Sequence, residues 1–512
     1  MAMPGIRFVA PRALEAALNV RADIALFAGL IPLRNNIVKD GIPEWVLKQW
    51  DDLGFERETN KNALDPFRLP VRLESIAQFD SLFEDCRLFA ANGANIKVPT
   101  SLGVAVRAFF AEGGITCYVV RCGDPLTFMP DYSAGGITAR KEKLAAIIPG
   151  SFAMSDVPSR WSGLEHVLGL DDVSMVVLPD LPDLFAVAQP SLDDNYTPPL
   201  APEVFRPADT APAPAHTAAL PARPFSAPRL DAAARASWRA AVSRAAMLLD
   251  RGTGNVSRHD VQLILTLPLP PVGHSERESE PDISLLLGDR RDSQAMRLQF
   301  TYPWVQTRFS SALPEGLQGS DGVVAGILAR NAVSRGAYLS AAGLPSKCVS
   351  RLAPALSRDA LATSAAGGDW LGDGITILGQ KQSGVALLSD STASTQKALR
   401  AASLRRLQGI VLRAARLAGQ DLVFEGNLAS TWTRLRHRLE DYMTELWQLG
   451  AFDGETAQDA FEVRCGPSTM TQNDIDAGRM IAQILFTSMQ PIERMTIMLE
   501  FSPQQSVSLR AA

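Results

Sequence analysis

The stretch from Thr100 to Val120 constrains the fold most. Thr100 or Ser101 can cap a helix, because a short hydroxyl side chain accepts from backbone N–H groups that the first turn leaves unpaired. Leu102, Val104, Val106, Phe109 and Phe110 then cover one side of that helix. Gly113 and Gly114 stop it, since helices commonly end on a left-handed residue and glycine enters that region without steric cost. Ile115–Val120 follows as a strand. A helix, a glycine stop and a strand in one short stretch make an α/β unit.

The same grammar recurs along the chain. Asp23–Leu33 is a continuous apolar run of strand length, stopped by Pro32. Val71–Phe83 starts as a strand and becomes helical, with Asp80 or Ser81 as a cap or turn. Val173–Pro179 is a buried-strand candidate before an acidic loop, Asp180–Asp183. Helix Asp231–Asp250 and strands Val261–Leu267 and Met296–Tyr302 continue the alternation. Helix Asp321–Gly336 turns Val323, Val324, Ile327 and Leu328 inward, and Gly374–Leu378 pairs with Val385–Leu388. Residues 34–68 form a polar excursion in which Trp45 and Trp50 read as exposed. Residues 189–229 are rich in Pro and Ala and read as a linker or surface loop, and 271–293 as a charged loop. The expected class is mixed α/β in several domains.

Two long helices precede the C-terminal stretch. In Lys397–Leu417, Leu404, Leu407, Ile410, Val411 and Ala414 form one stripe, and Arg405, Arg406, Arg413 and Arg416 fall on the opposite side. That arginine stripe is either a solvated face or a docking surface for an acidic partner. In Asn427–Leu449 the stripe is Leu428, Trp432, Leu435, Leu439, Met443 and Leu446, with Asn427 as N-cap and Gly450 as stop. Ala460–Phe501 then reads as strand, polar loop, strand, turn, strand. Phe461, Val463 and Cys465 alternate with Glu462 and Arg464, and Gly466–Asp476 is the loop. Met480–Phe486 and Met495–Phe501 are separated by Met489-Gln490-Pro491.

The chemistry that would mark an enzyme is missing from the sequence. No phosphate-binding glycine loop, dinucleotide fingerprint, HExxH helix or nucleophile elbow occurs. The net charge of -5 gives no basic field for nucleic acid. No apolar run reaches the roughly 18–20 residues of a membrane span, and no signal-peptide segment stands at the start. Cytoplasmic synthesis and assembly are therefore expected. The five cysteines are scattered, without a CxxC pair, and Cys117 and Cys122 point to opposite faces of one strand. Asp51-Asp52, Asp171-Asp172 and Asp180/Asp183 read as solvated turn acids, and Asp474 and Asp476 as turn chemistry rather than a metal pair. His166 reads as structural. No cofactor, metal or catalytic residue is expected.

Several segments resemble the tail-sheath proteins of contractile phages and of extracellular contractile injection systems. They are LGVAVRAFFAEGGITCYVVRCGDP, VSMVVLPDLPDLF, YPWVQTRF, GVVAGILARNAVSRGAY, ITILGQKQSGVALLSD, TELWQLGAFDG, AFEVRCG, TMTQNDIDAGRM and PIERMTIMLEF, in that order. GIPEWVLKQW looks more like the injection-system branch. The resemblance implies a multi-domain subunit with a core of N- and C-terminal segments and an outer inserted domain. On it the chain divides at 1–33, 34–160, 161–345, 346–490 and 491–512. It implies hexameric rings stacked around an inner tube, with baseplate and cap proteins as partners, later carried in a phage-tail-like particle. It also implies terminal arms that exchange strands, here Ile6 and Phe8 in Ile6–Ala10, and Met495, Ile497, Leu499 and Phe501. Arg405, Arg406, Arg413 and Arg416 are then the candidates for docking the tube, with Lys397–Leu417 preferred over Asn427–Leu449. Another tail component, of baseplate or tube, and a soluble α/β enzyme are the alternatives.

Overall fold

The computed structural model describes residues 20–35, 37, 41–55, 68–89, 96–128, 133–150, 161–187, 226–251, 257–269, 292–356, 374–420, 427–488, 495–502 and 505–510. Its main sheet has eight strands: β1 (Ala25–Gly29), β2 (Val71–Leu73), β3 (Cys117–Arg121), β4 (Met175–Val177), β5 (Gln262–Thr266), β6 (Leu298–Tyr302), β7 (Thr376–Lys381) and β8 (Gly384–Leu387). The spatial order is β8-β7-β6-β5-β4-β1-β3-β2. The six central strands run parallel, and β8 and β2 close the sheet antiparallel at its two ends.

Parallel sheets are covered on both faces, which is why their strands read as apolar runs rather than as alternation. Ala25, Phe27, Cys117, Val119, Met175 and Val177 face one core. Leu26, Ala28, Tyr118, Val120, Cys122 and Val176 face the other. Cys117 and Cys122 thus lie on opposite faces, as their spacing predicts. The first core is covered by helices α1 (Glu44–Asp52), α2 (Ile76–Leu82), α3 (Ser101–Glu112) and α6 (Asp321–Ser334). The second is covered by α4 (Ala134–Ile147) and α5 (Ala232–Arg251), with Trp238 of α5 fully buried.

Helix α3 is capped as read: Thr100 accepts from Gly103 N at 3.0 Å, and Gly113 takes φ 112°. Elsewhere the local reading needs correction. Helix α2 is capped by Ser75, not by Asp80 or Ser81, which lie inside it. Trp50 is buried, with Nε1 donating to Pro70 O at 2.9 Å, because α1 folds the polar excursion back against the sheet. The expected domain boundaries at 33/34, 160/161 and 345/346 fall within the span of one sheet, whose strands run from residue 25 to residue 387. The loops at 189–229 and 271–293 lie almost wholly outside the described residues.

A second unit follows. Helices α7 (Ala402–Gln420) and α8 (Ala429–Gln448) pack under a four-stranded antiparallel sheet of β9 (Phe461–Cys465), β10 (Met480–Phe486), β11 (Met495–Ser502) and β12 (Gln505–Arg510). Val20 and Ala22 pack against this core, so the start of the described chain joins its end. Asn427 does not cap α8. The N-cap is Leu428, and the Asn427 amide donates to Arg479 O while its Oδ1 accepts from Trp432 Nε1. The loop Gly466–Asp476 holds one helical turn, Gln472–Asp476, where Thr471 and Asp474 form a capping box. Asp474 therefore does helix-cap work, and its carboxyl is held down at about 2 by the Thr471 hydroxyl and N–H and by Arg479.

Candidate functional surfaces

Three places could carry function: the carboxyl end of the main sheet, the arginine face of α7, and the C-terminal sheet. In a doubly wound parallel sheet, ligands bind outside the carboxyl ends of the strands, where the strand order reverses. Here that point lies between β1 and β4, since β3 follows on one side of β1 and β4 on the other. The crevice is filled from within. Asp180, just past β4, is buried, and Leu30 N, just past β1, donates to its Oδ2 at 2.7 Å. A Cβ at Gly29 would lie 2.1 Å from that oxygen, so the contact depends on glycine. Burial pushes the Asp180 carboxyl up to about 7 and that of Asp321, at the start of α6, up to about 6. Asp183 pairs with Arg87 beside them. Two cavities remain at this end, one of about 20 Å³ beside Asp183 and Asp321 and one of about 50 Å³ lined by Leu30, Thr127, Arg140 and Asp183, against the roughly 10–15 Å³ that one water needs. The chain's own carboxyls thus occupy the strand ends at this point. This corrects the reading of Asp180 as a solvated turn acid. Asp51 and Asp52 are exposed, as read, but they end helix α1 rather than form a turn. His166 is fully buried, its imidazole pushed down to about 3 by burial, with Phe55 and Trp161 edge-on.

The arginine face of α7 is not a surface. Arg405, Arg406, Arg413 and Arg416 are all at most 7% exposed. Arg406 forks onto the buried carboxylate of Asp390, with Nη1 to Oδ1 at 3.0 Å, and its Nε donates to Ala337 O at 2.9 Å. Asp390 also accepts from Gln299 Nε2 at 3.0 Å and Ala341 N at 2.8 Å. Asp260 is shared by Arg258, Arg413 and Arg416. Arg406 lowers the Asp390 carboxyl, and the three arginines lower that of Asp260, both against the cost of burial. Gly409 allows the close approach, because a Cβ there would lie 2.7 Å from Asp260 O. Both expectations for the stripe, solvated or tube-docking, are therefore corrected: α7 faces carboxylates of the main sheet on one side and the apolar core of the second unit on the other. Periodicity detects the charged side of a helix but not what faces it. Asp260 and Asp390 had no signal of their own in the sequence. Of the two helices, α8 keeps an open side, with Ser430, Thr433, Arg434, His437 and Asp441 exposed.

In the C-terminal sheet the pairing runs from Phe461↔Phe486 to Cys465↔Ala482, then from Met480↔Phe501 to Phe486↔Met495. Phe461 and Val463 are buried and Arg464 is exposed, as the alternation predicts. Ile497 and Leu499 are buried in this same core. Met495, Ile497, Leu499 and Phe501 thus stand in an inner strand of the chain's own sheet, between β10 and β12, where the expectation had them leaving it. Ile6 and Phe8 lie outside the described residues. The edge strand β12 was missed, although Val507 and Leu509 alternate with Ser506, Ser508 and Arg510 after Pro503.

The whole architecture can now be set against known structures. A chain of the anti-feeding prophage helical sheath in its contracted state is 18% identical, with 96% of this chain and 97% of that one covered and a TM-score of 0.52. Its fold is that of a contractile-sheath subunit. A chain of the contracted sheath complex of PVC, an extracellular contractile injection system, gives 18% identity, 96% and 95% coverage and a TM-score of 0.52. A chain of the anti-feeding prophage baseplate in its contracted state gives 20%, 96%, 97% and 0.59. No family model matches the chain, and no curated protein sequence does. The sheath fold accounts for both units, since the likeness spans nearly the full length of each chain.

Proposed function

We propose that this chain is the structural subunit of a contractile sheath. It polymerises as stacked hexameric rings around an inner tube, between baseplate and cap proteins, and contracts to drive the tube through a target envelope. The observation that carries the reading is the end-to-end likeness to chains of two contracted sheaths. The buried carboxyls and small cavities at the carboxyl end of the main sheet support a mechanical rather than a catalytic role. In this reading no nucleotide is consumed on firing, and the energy resides in the extended lattice. Assembly takes place in the cytoplasm, and the finished particle acts outside; neither nucleic acid nor membrane insertion is involved.

Subunits are joined by strand exchange. A neighbour's strand in the β11 register would make the same ladder as the chain's own, so the pairing seen within one chain serves equally as the joint between two. Ile6 and Phe8 at one end, and Met495, Ile497, Leu499 and Phe501 at the other, are the exchanging residues. The tube is met by the open side of α8. A second reading, a sheath-fold component that stays at the baseplate, draws on the match to a baseplate chain. Negative-stain microscopy of the purified chain tests the first reading: long hollow cylinders are expected, and a monodisperse particle under all conditions would refute it. Deleting residues 1–20 should leave a soluble subunit that forms no long cylinders, whereas deleting 495–512 also removes the buried Ile497 and Leu499 and should destabilise the second unit itself.

A further inference from the structure

The buried arginines of α7 carry more charge than the chain returns to them. Arg258 takes Asp260 with two contacts of 3.0 Å, so Arg413 and Arg416 are left 3.4 Å from the same carboxylate. Asp171 stands 3.6 Å from Arg416, but its side chain is 54% exposed and water screens it. Nε of Arg413, and Nε and Nη1 of Arg416, are buried without a hydrogen-bond partner in the described chain. Burial lowers the Arg413 guanidinium from its usual range. Arg413 and Arg416 also line a surface cavity of about 160 Å³, with Val20, Arg21, Asp171 and Leu417 as further walls. One water needs only roughly 10–15 Å³, so the cavity has room for a polyatomic ion. Asp172 lines the cavity as well, and its carboxylate accepts from Tyr118 Oη at 3.1 Å.

We propose that this cavity binds a small free oxyanion of the phosphate type, held by Arg413 and Arg416. An oxyanion offsets the charge of the two guanidinium groups, which a water cannot. The guanidinium fork matches oxyanion geometry. The site lies where the lead-in to β1, Val20 and Arg21, meets α7, so the anion ties the start of the described chain to the helix between the two units. An anion that binds only the folded chain stabilises it by mass action.

Thermal unfolding of the full chain, titrated with inorganic phosphate at an ionic strength held constant with chloride, tests this. A saturable rise in the midpoint is expected. Asp171→Asn, which removes the carboxylate competing for Arg416 at an exposed position, should lower the phosphate concentration at half-effect severalfold. Arg413→Gln with Arg416→Gln should abolish the saturable rise. The proposal is overturned by the absence of any phosphate effect beyond that of chloride, or by an unchanged half-effect concentration in Asp171→Asn.

Discussion

The main sheet hides both faces and ends in antiparallel strands of three and four residues, whereas the C-terminal sheet ends in strands of five and six. Among the described residues, no strand pairs with the outer side of β9 or β12. A free edge offers unpaired N–H and C=O groups to another chain, and soluble proteins usually shorten or block it. On the proposed reading, the first unit has short edges and covered faces, and the second is the one that neighbours extend. Helix α7 belongs to both, with its apolar stripe in one core and its arginines on the carboxylates of the other.

The largest expected effect tests that coupling. Asp260→Ala leaves three guanidinium groups around no buried carboxylate, with only the exposed Asp171 near Arg416, and breaking a buried pair in this way costs about 3–5 kcal/mol. Chemical denaturation should register that loss or find no folded chain at all. A loss below about 1 kcal/mol would mean that water reaches these arginines, as it does in exposed ion pairs, and the docking reading of α7 would return. Leu499→Ala comes next, at about 2–5 kcal/mol for a fully buried leucine. It separates a strand at home from a strand exchanged: the loss is independent of chain concentration in the first case and concentration-dependent in the second.

A smaller effect comes from pH, and it has opposite signs in the two places. Asp180 and Asp321 have raised carboxyls, so their contribution is complete below the ordinary carboxylate range and is lost as pH rises through about 6 to 7. Asp260 and Asp390 have lowered carboxyls, so their contribution is present above the ordinary range and is lost as pH falls below it. The slope from one such group is at most about 1.4 kcal/mol per pH unit. Asp180→Asn keeps an oxygen acceptor for Leu30 N and should flatten the loss of stability between pH 5 and 8, read as midpoint against pH. An unchanged slope would mean that Asp180 is ionised and solvated, and the crevice open.

What could be read from the sequence follows from where each signal lives. The strands of the main sheet were legible because burial on both faces leaves continuous apolar runs such as Asp23–Leu33 and Val173–Pro179. The cap at Thr100 and the stop at Gly113 were legible because they are local backbone chemistry. The role of the α7 arginines was not, because a water-facing and a carboxylate-facing stripe have the same periodicity. Asp260 lies far from Arg413 in sequence and looks like any polar residue at a strand's entry. Trp50 was misread for a related reason, since polar neighbours hide a side chain that the fold turns inward. The sheath fold itself was reached through segments such as NDIDAGR, whose order the architecture now explains as successive parts of two packed units.

The smallest effects compare the helix starts of the two units. Helix α3 has a side-chain cap and α8 has none, for Leu428 occupies the N-cap and is 63% exposed. Thr100→Ala should cost about 1 kcal/mol, and Leu428→Ser should gain up to about 1 kcal/mol by supplying the missing acceptor. Evolution under stability alone would favour the capped residue at 428, so an exposed leucine there asks for another reason. If the second unit is the one that meets neighbours, Leu428 lies on a surface that assembly covers. Leu428→Ser should then raise the unfolding midpoint of the isolated chain while shortening or abolishing the cylinders it forms. A variant that gains stability and assembles normally would remove this part of α8 from the contact surface and leave the edges of the C-terminal sheet as the place where the two units differ.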